Sequence, residues 1–91
     1  MPKADSNTAL AVVTEWVRAS AQARFPGAEV NADTNIIESG LLDSVEILYL
    51  VGFLEERFGI ALPIEEFIPE NFATAEAVAK LVDRLSSGQG R

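Results

Sequence analysis

The stretch Gly40-Leu41-Leu42-Asp43-Ser44-Val45 organises the rest of this chain. It forms a turn that delivers the hydroxyl of Ser44 to the start of a helix, which should run from Ser44 to about Phe58. When this segment is placed on a helix of about 3.6 residues per turn, one face is apolar and is predicted to face the core. The residues on that face are Ile47, Leu50, Val51, Leu54 and Phe58.

The opposite face of the same helix is not simply polar. It mixes apolar side chains with carboxylates, and its members are Val45, Leu48, Tyr49, Gly52, Glu55 and Glu56. A solvated helix face is normally mostly charged, whereas an apolar strip bordered by acids is typical of a docking surface. This face is therefore predicted to bind a protein partner.

Length and composition restrict the class of protein. A chain of 91 residues with 48% hydrophobic residues fits one small globular domain. It has no cysteine, hence no disulfide and no thiolate nucleophile, and no histidine, the commonest general base. The net charge of -7 disfavours nucleic acid as a partner. No signal-peptide pattern is present, and no apolar run approaches the roughly 20 residues of a membrane span, so no membrane contact is expected. The lack of cysteine is compatible with a reducing cytoplasm, which is the expected location.

The N-terminal half should contain one helix and one long loop. Residues 1–6 are polar and are expected to be mobile. A helix is predicted from about Asn7 or Thr8 to Arg24, because Phe25-Pro26-Gly27 would stop it. The loop that follows, residues 28–43, shows no strand pattern. Four of its apolar side chains should pin it to the core, and these are Ile36, Ile37, Leu41 and Leu42.

The C-terminal half should contain two further helical pieces. Gly59 is predicted to end the helix that starts at Ser44. A short helical turn is expected within residues 64–72, which Pro69 divides. Thr74 is then predicted to cap a last helix over about residues 75–85.

These elements together predict an all-α fold. The expected architecture is a small four-helix bundle with three main helices and one short one, over residues 7–85. Residues 86–91 read as a flexible Ser/Gly-rich tail. No pattern indicates stable oligomerisation, so a monomer is expected.

Three kinds of chemistry compete at Ser44. Catalysis is disfavoured, because a serine nucleophile needs a nearby base and the two lysines, Lys3 and Lys80, are far away in sequence. Metal binding is disfavoured, because the loop acids lack the regular spacing of a calcium loop. Attachment of a phosphate is favoured, because the helix dipole and free N–H groups at a helix start attract an anion. Helix capping by Asp43 or Ser44 would also explain the Asp-Ser pair, but not the apolar strip that follows.

A family resemblance emerges from the Ser44 helix. The segment Asp43-Ser44-Val45-Glu46-Ile47-Leu48-Tyr49-Leu50-Val51-Gly52-Phe53-Leu54-Glu55-Glu56-Arg57-Phe58 resembles the second helix of acyl carrier proteins. In that family, Asp-Ser precedes a helix that ends in acids and Phe. The resemblance extends over about residues 8–85, including the long loop, the Gly-Ile-x-Leu-Pro return after Phe58 and the Thr-capped last helix.

The resemblance implies a carrier and not an enzyme. Ser44 would receive 4'-phosphopantetheine from coenzyme A through a separate phosphopantetheinyl transferase, and Asp43 would help present the serine. The thiol of the arm would then carry an acyl or aminoacyl group as a thioester, loaded by an activating ligase and unloaded by a downstream transferase or synthase. The implied docking residues are Val45, Glu46, Leu48, Tyr49, Gly52, Glu55 and Glu56.

Departures from the fatty-acid carriers indicate the cargo. Gly40 stands one residue further from Asp43 than in those carriers, Tyr49 replaces a common acid, and Gly52 replaces a large apolar residue. With Pro69-Glu70-Asn71-Phe72-Ala73-Thr74, the pattern is more similar to stand-alone aminoacyl and D-alanyl carriers. The expected cargo is an amino acid or a short acyl group of a specialised pathway. The alternatives are a carrier of fatty-acyl or polyketide intermediates and, in another class, an acidic helical interaction module without a prosthetic group.

Overall fold

The computed structural model describes residues 6–88, and over these residues the fold is helical without a strand. The four α-helices are α1 (Ser6–Ala21), α2 (Ser44–Phe58), α3 (Pro69–Phe72) and α4 (Ala75–Gly88). A single 3₁₀ turn, Ile64–Glu66, precedes α3. The predicted all-α fold of three main helices and one short helix is confirmed, and the short region proves to be two pieces separated at Phe67 and Ile68.

The first helix ends three residues earlier than predicted, at Ala21 instead of Arg24. The chain tightens there into a turn, in which the N–H groups of Arg24 and Phe25 both donate to the Ala21 carbonyl, at 3.2 and 2.7 Å. These two hydrogen bonds to one carbonyl form a tight turn that ends the helix before Pro26.

The last helix is longer than predicted. It continues to Gly88, so residues 86–88 of the predicted flexible tail are helical. Ser6, placed in the predicted mobile N-terminal segment, is the first described residue of α1. The remainder of those two predicted segments, residues 1–5 and 89–91, lies outside the described residues.

A single apolar core joins the helices. Helix α1 packs most extensively against α4, and both α2 and α3 also contact α4. Trp16 of α1 stacks on Phe53 of α2, with ring centroids 6.0 Å apart. The largest fully buried side chains are Ile36, Leu50, Leu54, Leu81, Val13, Val17, Val78 and Val82. This set confirms the predicted core face of α2 at Leu50 and Leu54.

The caps of α2 and α4 position the ends of both helices. Gly59 adopts a left-handed conformation (φ 65°) and donates its N–H to the Glu55 carbonyl, which confirms it as the end of α2. A residue with a side chain would be strained at that φ. The Thr74 hydroxyl accepts a hydrogen bond from the Ala77 N–H at 3.0 Å, which confirms the predicted cap of α4.

Two backbone hydrogen bonds attach the long loop to the C-terminal half. The Ile36 N–H donates to the Ala73 carbonyl at 2.6 Å, and the Glu76 N–H donates to the Ala32 carbonyl at 3.0 Å. Ile36 is fully buried beneath this attachment. Ile37 was expected to pin the loop in the same way, but it is 40% exposed. The prediction for Ile37 was wrong because Ile36 occupies the inward position.

The neighbouring isoleucines provide a matched test of this attachment. We expect Ile36→Ala to lower the free energy of unfolding by about 2–5 kcal/mol, because it removes fully buried apolar volume. Ile37→Ala should cost about 1 kcal/mol or less, since much of that side chain already faces solvent. Urea denaturation followed by circular dichroism measures both. Equal losses for the two variants would contradict the burial pattern.

Candidate functional site

The start of α2 is held by reciprocal hydrogen bonds between Asp43 and Glu46. The Glu46 N–H donates to Asp43 Oδ1 at 2.8 Å, and the Asp43 N–H donates to Glu46 Oε1 at 3.0 Å. Asp43 is extended (φ -94°, ψ -177°) and is therefore the cap, with Ser44 as the first helical residue. The sequence left open which of the two residues caps the helix, and the geometry assigns that role to Asp43.

Because Asp43 provides the cap, the Ser44 hydroxyl is not needed for it. Ser44 is exposed, and its hydroxyl has no hydrogen-bond partner within residues 6–88. The backbone N–H groups of Ser44 and Val45 are likewise unpaired within that part of the chain. A free hydroxyl beside two free N–H donors, at the positive end of a 15-residue helix, suits a covalently attached phosphate.

The turn before Ser44 has a special backbone conformation at Gly40. Its φ is +76°, in the left-handed region that glycine adopts without strain. No heavy atom beyond its chain neighbours lies within 4 Å of where a Cβ would stand, so glycine is required there by conformation and not by space. Leu41 and Leu42, which follow, are both buried and anchor the turn to the core, as predicted.

Arg24 also contacts this turn, and the sequence reasoning missed it. Its Nη2 donates to the Leu41 carbonyl at 2.9 Å and to Glu46 Oε1 at 2.7 Å. Its Nη1 lies 3.8 Å from Asp43 Oδ2. No local pattern in the sequence indicates this contact, because Arg24 and Glu46 are 22 positions apart.

An apolar groove opens beside Ser44. Its volume is about 610 Å³, and it lies between the start of α2 and the segment that contains the 3₁₀ turn and α3. The lining residues are Ile37, Leu42, Asp43, Ser44, Ile47, Leu48, Phe67, Ile68, Pro69 and Phe72. Asp43 is the single charged member of this lining, so the groove suits an apolar group next to the serine.

The outward face of α2 is exposed and apolar near Ser44. Val45, Leu48 and Tyr49 are 54%, 59% and 66% exposed. Gly52 is exposed on the same helix, and so is Glu56 one turn further. The structure thus places these five predicted docking residues where a partner could reach them.

The two other predicted docking acids are already engaged within the domain. Glu46 accepts the Asp43 N–H and pairs with Arg24. Glu55 accepts the Leu62 N–H through Oε2 at 2.9 Å and so holds the chain that leaves α2. Their docking role stays a prediction. A partner protein that binds there would contact carboxylates that already accept hydrogen bonds within the domain.

The described part of the chain has neither a metal-binding cluster of side chains nor a membrane-crossing helix. It contains no group of three or more acidic side chains arranged to hold a metal ion. None of its helices is both long enough and apolar enough to cross a membrane.

The fold and the site define a small helical carrier domain, and comparison with known proteins gives its family. The family described as "phosphopantetheine attachment site" matches residues 15–82. The chain therefore belongs to this family, as the resemblance implied, and it is a carrier protein whose cofactor is a covalently attached 4'-phosphopantetheine. The free hydroxyl and N–H groups at the start of α2 fit the phosphate of that group.

Curated relatives of this chain have carrier names. The aminoacyl carrier protein 2 of Bradyrhizobium diazoefficiens is 32% identical over 88 residues, which cover 92% of this chain and 98% of the relative. The probable acyl carrier protein PigG of a Serratia species is 33% identical over 64% of this chain and 67% of its own length. The D-alanyl carrier protein of Bacillus velezensis is 38% identical over 60% of this chain and 70% of its own.

A solved structure has the same fold. It is described as "Crystal structure of FAD-dependent dehydrogenase", and one of its chains matches with a TM-score of 0.61 and 27% identity. The match covers 70% of this chain and 93% of that chain. The matched chain is therefore shorter than this one.

The assignment of the cap can be tested by mutation. Asp43→Ala should lower the free energy of unfolding by about 1 kcal/mol, because the Glu46 N–H loses its acceptor. Ser44→Ala should change it by no more than about 0.5 kcal/mol, because the hydroxyl makes no hydrogen bond within the domain. Asp43→Asn is the control: it retains the acceptor for the Glu46 N–H and loses only the exposed 3.8 Å ion pair with Arg24, so its loss should be smaller than that of Asp43→Ala. Thermal or urea unfolding measures all three, and a Ser44→Ala loss as large as that of Asp43→Ala would make Ser44 the cap.

Proposed function

We propose that Ser44 is the attachment point of 4'-phosphopantetheine and that the chain carries an aminoacyl or short acyl group between enzymes. The main support for this proposal is the Ser44 hydroxyl at the start of α2. It is free because Asp43, and not Ser44, caps the helix. The family match, which spans residues 15–82, includes this helix. When bound, the arm supplies a thiol that holds its cargo as a thioester.

The residues around Ser44 present the hydroxyl and hold the anion, but they do not activate the nucleophile. Both carboxylate oxygens of Asp43 are engaged, Oδ1 by the Glu46 N–H and Oδ2 by the nearby Arg24 guanidinium. The chain contains no histidine. The base that takes the Ser44 proton therefore belongs to the transferase. In the transfer, the Ser44 oxygen bonds to the phosphorus that bears the pantetheine, the P–O–P bridge of coenzyme A breaks, and adenosine 3',5'-bisphosphate leaves. The N–H groups of Ser44 and Val45 and the dipole of α2 would then stabilise the charge of the phosphodiester.

A small cargo is supported by the closed interior. A long acyl chain stored inside the bundle would have to pass between core residues such as Leu50 and Leu54, which are fully buried. The groove beside Ser44 lies instead on the surface, and neither of these two residues lines it. The names of the aminoacyl and D-alanyl relatives agree with an amino acid or short acyl group as the cargo.

The partners follow from this chemistry. A phosphopantetheinyl transferase attaches the arm, an acyl- or aminoacyl-activating ligase loads it, and a downstream enzyme modifies or removes the cargo. All would approach the apolar face of α2 at Val45, Leu48 and Tyr49, with Glu56 at its border. Because coenzyme A and ATP-dependent ligases are available in the cytoplasm, the carrier is proposed to work there.

The attachment site is tested by intact mass. The purified wild-type chain is incubated with coenzyme A and a broad-specificity phosphopantetheinyl transferase, and it should gain one phosphopantetheine. Ser44→Ala should gain none. Ser39→Ala is the matched control: this exposed serine lies in the loop before α2, and its hydroxyl donates to the Asn35 carbonyl, so the variant should be modified like the wild type.

Two results would contradict this proposal. Modification of Ser44→Ala would move the attachment site to another residue. A folded wild-type chain that gains no mass with two different transferases would favour the alternative reading, an interaction module that uses the face of α2 without a prosthetic group.

The docking face is tested separately with Leu48→Glu. A charge in the middle of the exposed apolar strip should raise the KM of the transferase for this chain about tenfold, equivalent to about 1.4 kcal/mol of binding. The free energy of unfolding should change little, because Leu48 is already largely exposed. Ala11→Glu, an exposed position on α1, adds the same charge away from Ser44 and should leave KM unchanged. Equal increases in KM for the two variants would show that the net charge of the chain, and not this face of α2, determines how well the transferase binds it.

A further inference from the structure

One cation lies against the turn that presents Ser44. Arg24 stands three residues beyond the end of α1, and its side chain reaches back to the turn from Gly40 to Glu46. Its Nη2 donates to the carbonyls of Gly40 (3.3 Å) and Leu41 (2.9 Å) and to Glu46 Oε1 (2.7 Å). Its Nη1 is 3.8 Å from Asp43 Oδ2.

The hydrogen bonds from Arg24 satisfy backbone carbonyls of the turn that have no donor within the turn itself. Within the described residues, the carbonyls of Gly40 and Leu41 accept hydrogen bonds from Arg24 and from no other donor. Glu46 Oε1 is shared, because it accepts both the Asp43 N–H and the Arg24 guanidinium. Arg24 thus joins the backbone before Ser44 to the side chain that completes the cap after it.

The other cations of residues 6–88 contact different parts of the molecule. Arg18 is as exposed as Arg24, at 43% of its side chain, but it pairs with Glu15 of its own helix and donates to the Val30 carbonyl at 3.5 Å, away from the turn. Arg84 pairs with Glu66 of the 3₁₀ turn. Lys80 pairs with Glu76 one turn away on α4. Arg57 lies over the ring of Phe58 at the far end of α2. The contacts of Arg24 are the ones that converge on the candidate attachment site.

We propose that Arg24 is a positioning residue for the transfer of phosphopantetheine to Ser44. It holds the turn of residues 40–46 in one conformation and so fixes the orientation of the Ser44 hydroxyl relative to α2. This inference rests on the proposed attachment at Ser44. Arg24 does not touch the hydroxyl, and it acts through Leu41, Asp43 and Glu46.

The geometry predicts which kinetic constant depends on Arg24. If the turn loosens, fewer of the complexes with the transferase hold the hydroxyl correctly, which lowers kcat. Loss of a surface charge alone would instead change the encounter, and hence KM. A positioning role and a merely electrostatic one are therefore separable in the same measurement.

The test compares Arg24→Gln with Arg18→Gln, which makes the same charge change on a residue of equal exposure. For transfer from coenzyme A by a broad-specificity transferase, Arg24→Gln should lower kcat about tenfold with KM within about twofold of wild type. Arg18→Gln should leave both constants within about twofold. Amide hydrogen exchange on the unmodified chains gives a second readout: the Asp43 and Glu46 N–H groups should exchange faster in Arg24→Gln and unchanged in Arg18→Gln.

A variant of Glu46, whose carboxylate accepts the hydrogen bond from Arg24, tests the same contact. Glu46→Gln retains an oxygen that can accept the Asp43 N–H but loses its charge toward Arg24. Its kcat should fall several-fold, and the double variant Arg24→Gln/Glu46→Gln should be no slower than Arg24→Gln, because the neutral amide weakens a hydrogen bond that Arg24→Gln already removes. The Glu46→Gln measurement remains a test even if Arg24→Gln does not fold, since an unchanged kcat for Glu46→Gln would overturn the proposal.

Two failures are distinguishable. If the wild type accepts the arm on Ser44 and Arg24→Gln does so with the kcat and amide exchange of Arg18→Gln, the positioning role is wrong and the attachment site stands. If the wild type accepts no arm at all, the attachment proposal is overturned and the role of Arg24 with it.

Discussion

The reciprocal hydrogen bonds between Asp43 and Glu46 are the interaction on which the site depends. They determine where α2 begins, and so they make Ser44 the first residue inside the helix and not its cap. A capping serine would have its oxygen occupied by a backbone N–H. With Asp43 in that position, the serine oxygen is free for a covalent bond, and the unpaired N–H groups beside it remain available to an anion.

The rest of the fold keeps this helix start in place. Leu41 and Leu42 anchor the preceding turn in the core, and Ile36 anchors the loop before it, reinforced by its backbone hydrogen bond to Ala73. Helix α4 is the common support, because each of the other helices packs against it. The loop is thus held at both ends although it contains no regular secondary structure, which explains how a small domain can hold an exposed hydroxyl in place at a loop–helix junction.

The carboxylates near Ser44 divide into two kinds once their partners are known. Glu46 and Glu55 serve the domain itself, one at the start of α2 and one at its end. Glu56 is exposed, and no hydrogen bond or ion pair of its side chain occurs among residues 6–88. The surface around the serine is therefore more apolar than its acidic composition indicates, so recognition there should depend on shape and apolar contact more than on charge.

The sequence by itself determined the features that depend on neighbours along the chain. Helical spacing predicted the core face of α2, and the identities of Gly59 and Thr74 predicted the ends of two helices, because capping involves residues three or four positions apart. The family could be identified from the sequence for the same reason, since the motif around Ser44 is contiguous.

Only the tertiary structure decided the features that depend on distant contacts. It placed Ile36 inside and Ile37 outside, a choice that depends on which side of the loop faces the core. It also brought Arg24 to Glu46 across 22 positions. No local pattern encodes such a pair, because the path of the loop between the two residues decides whether they meet.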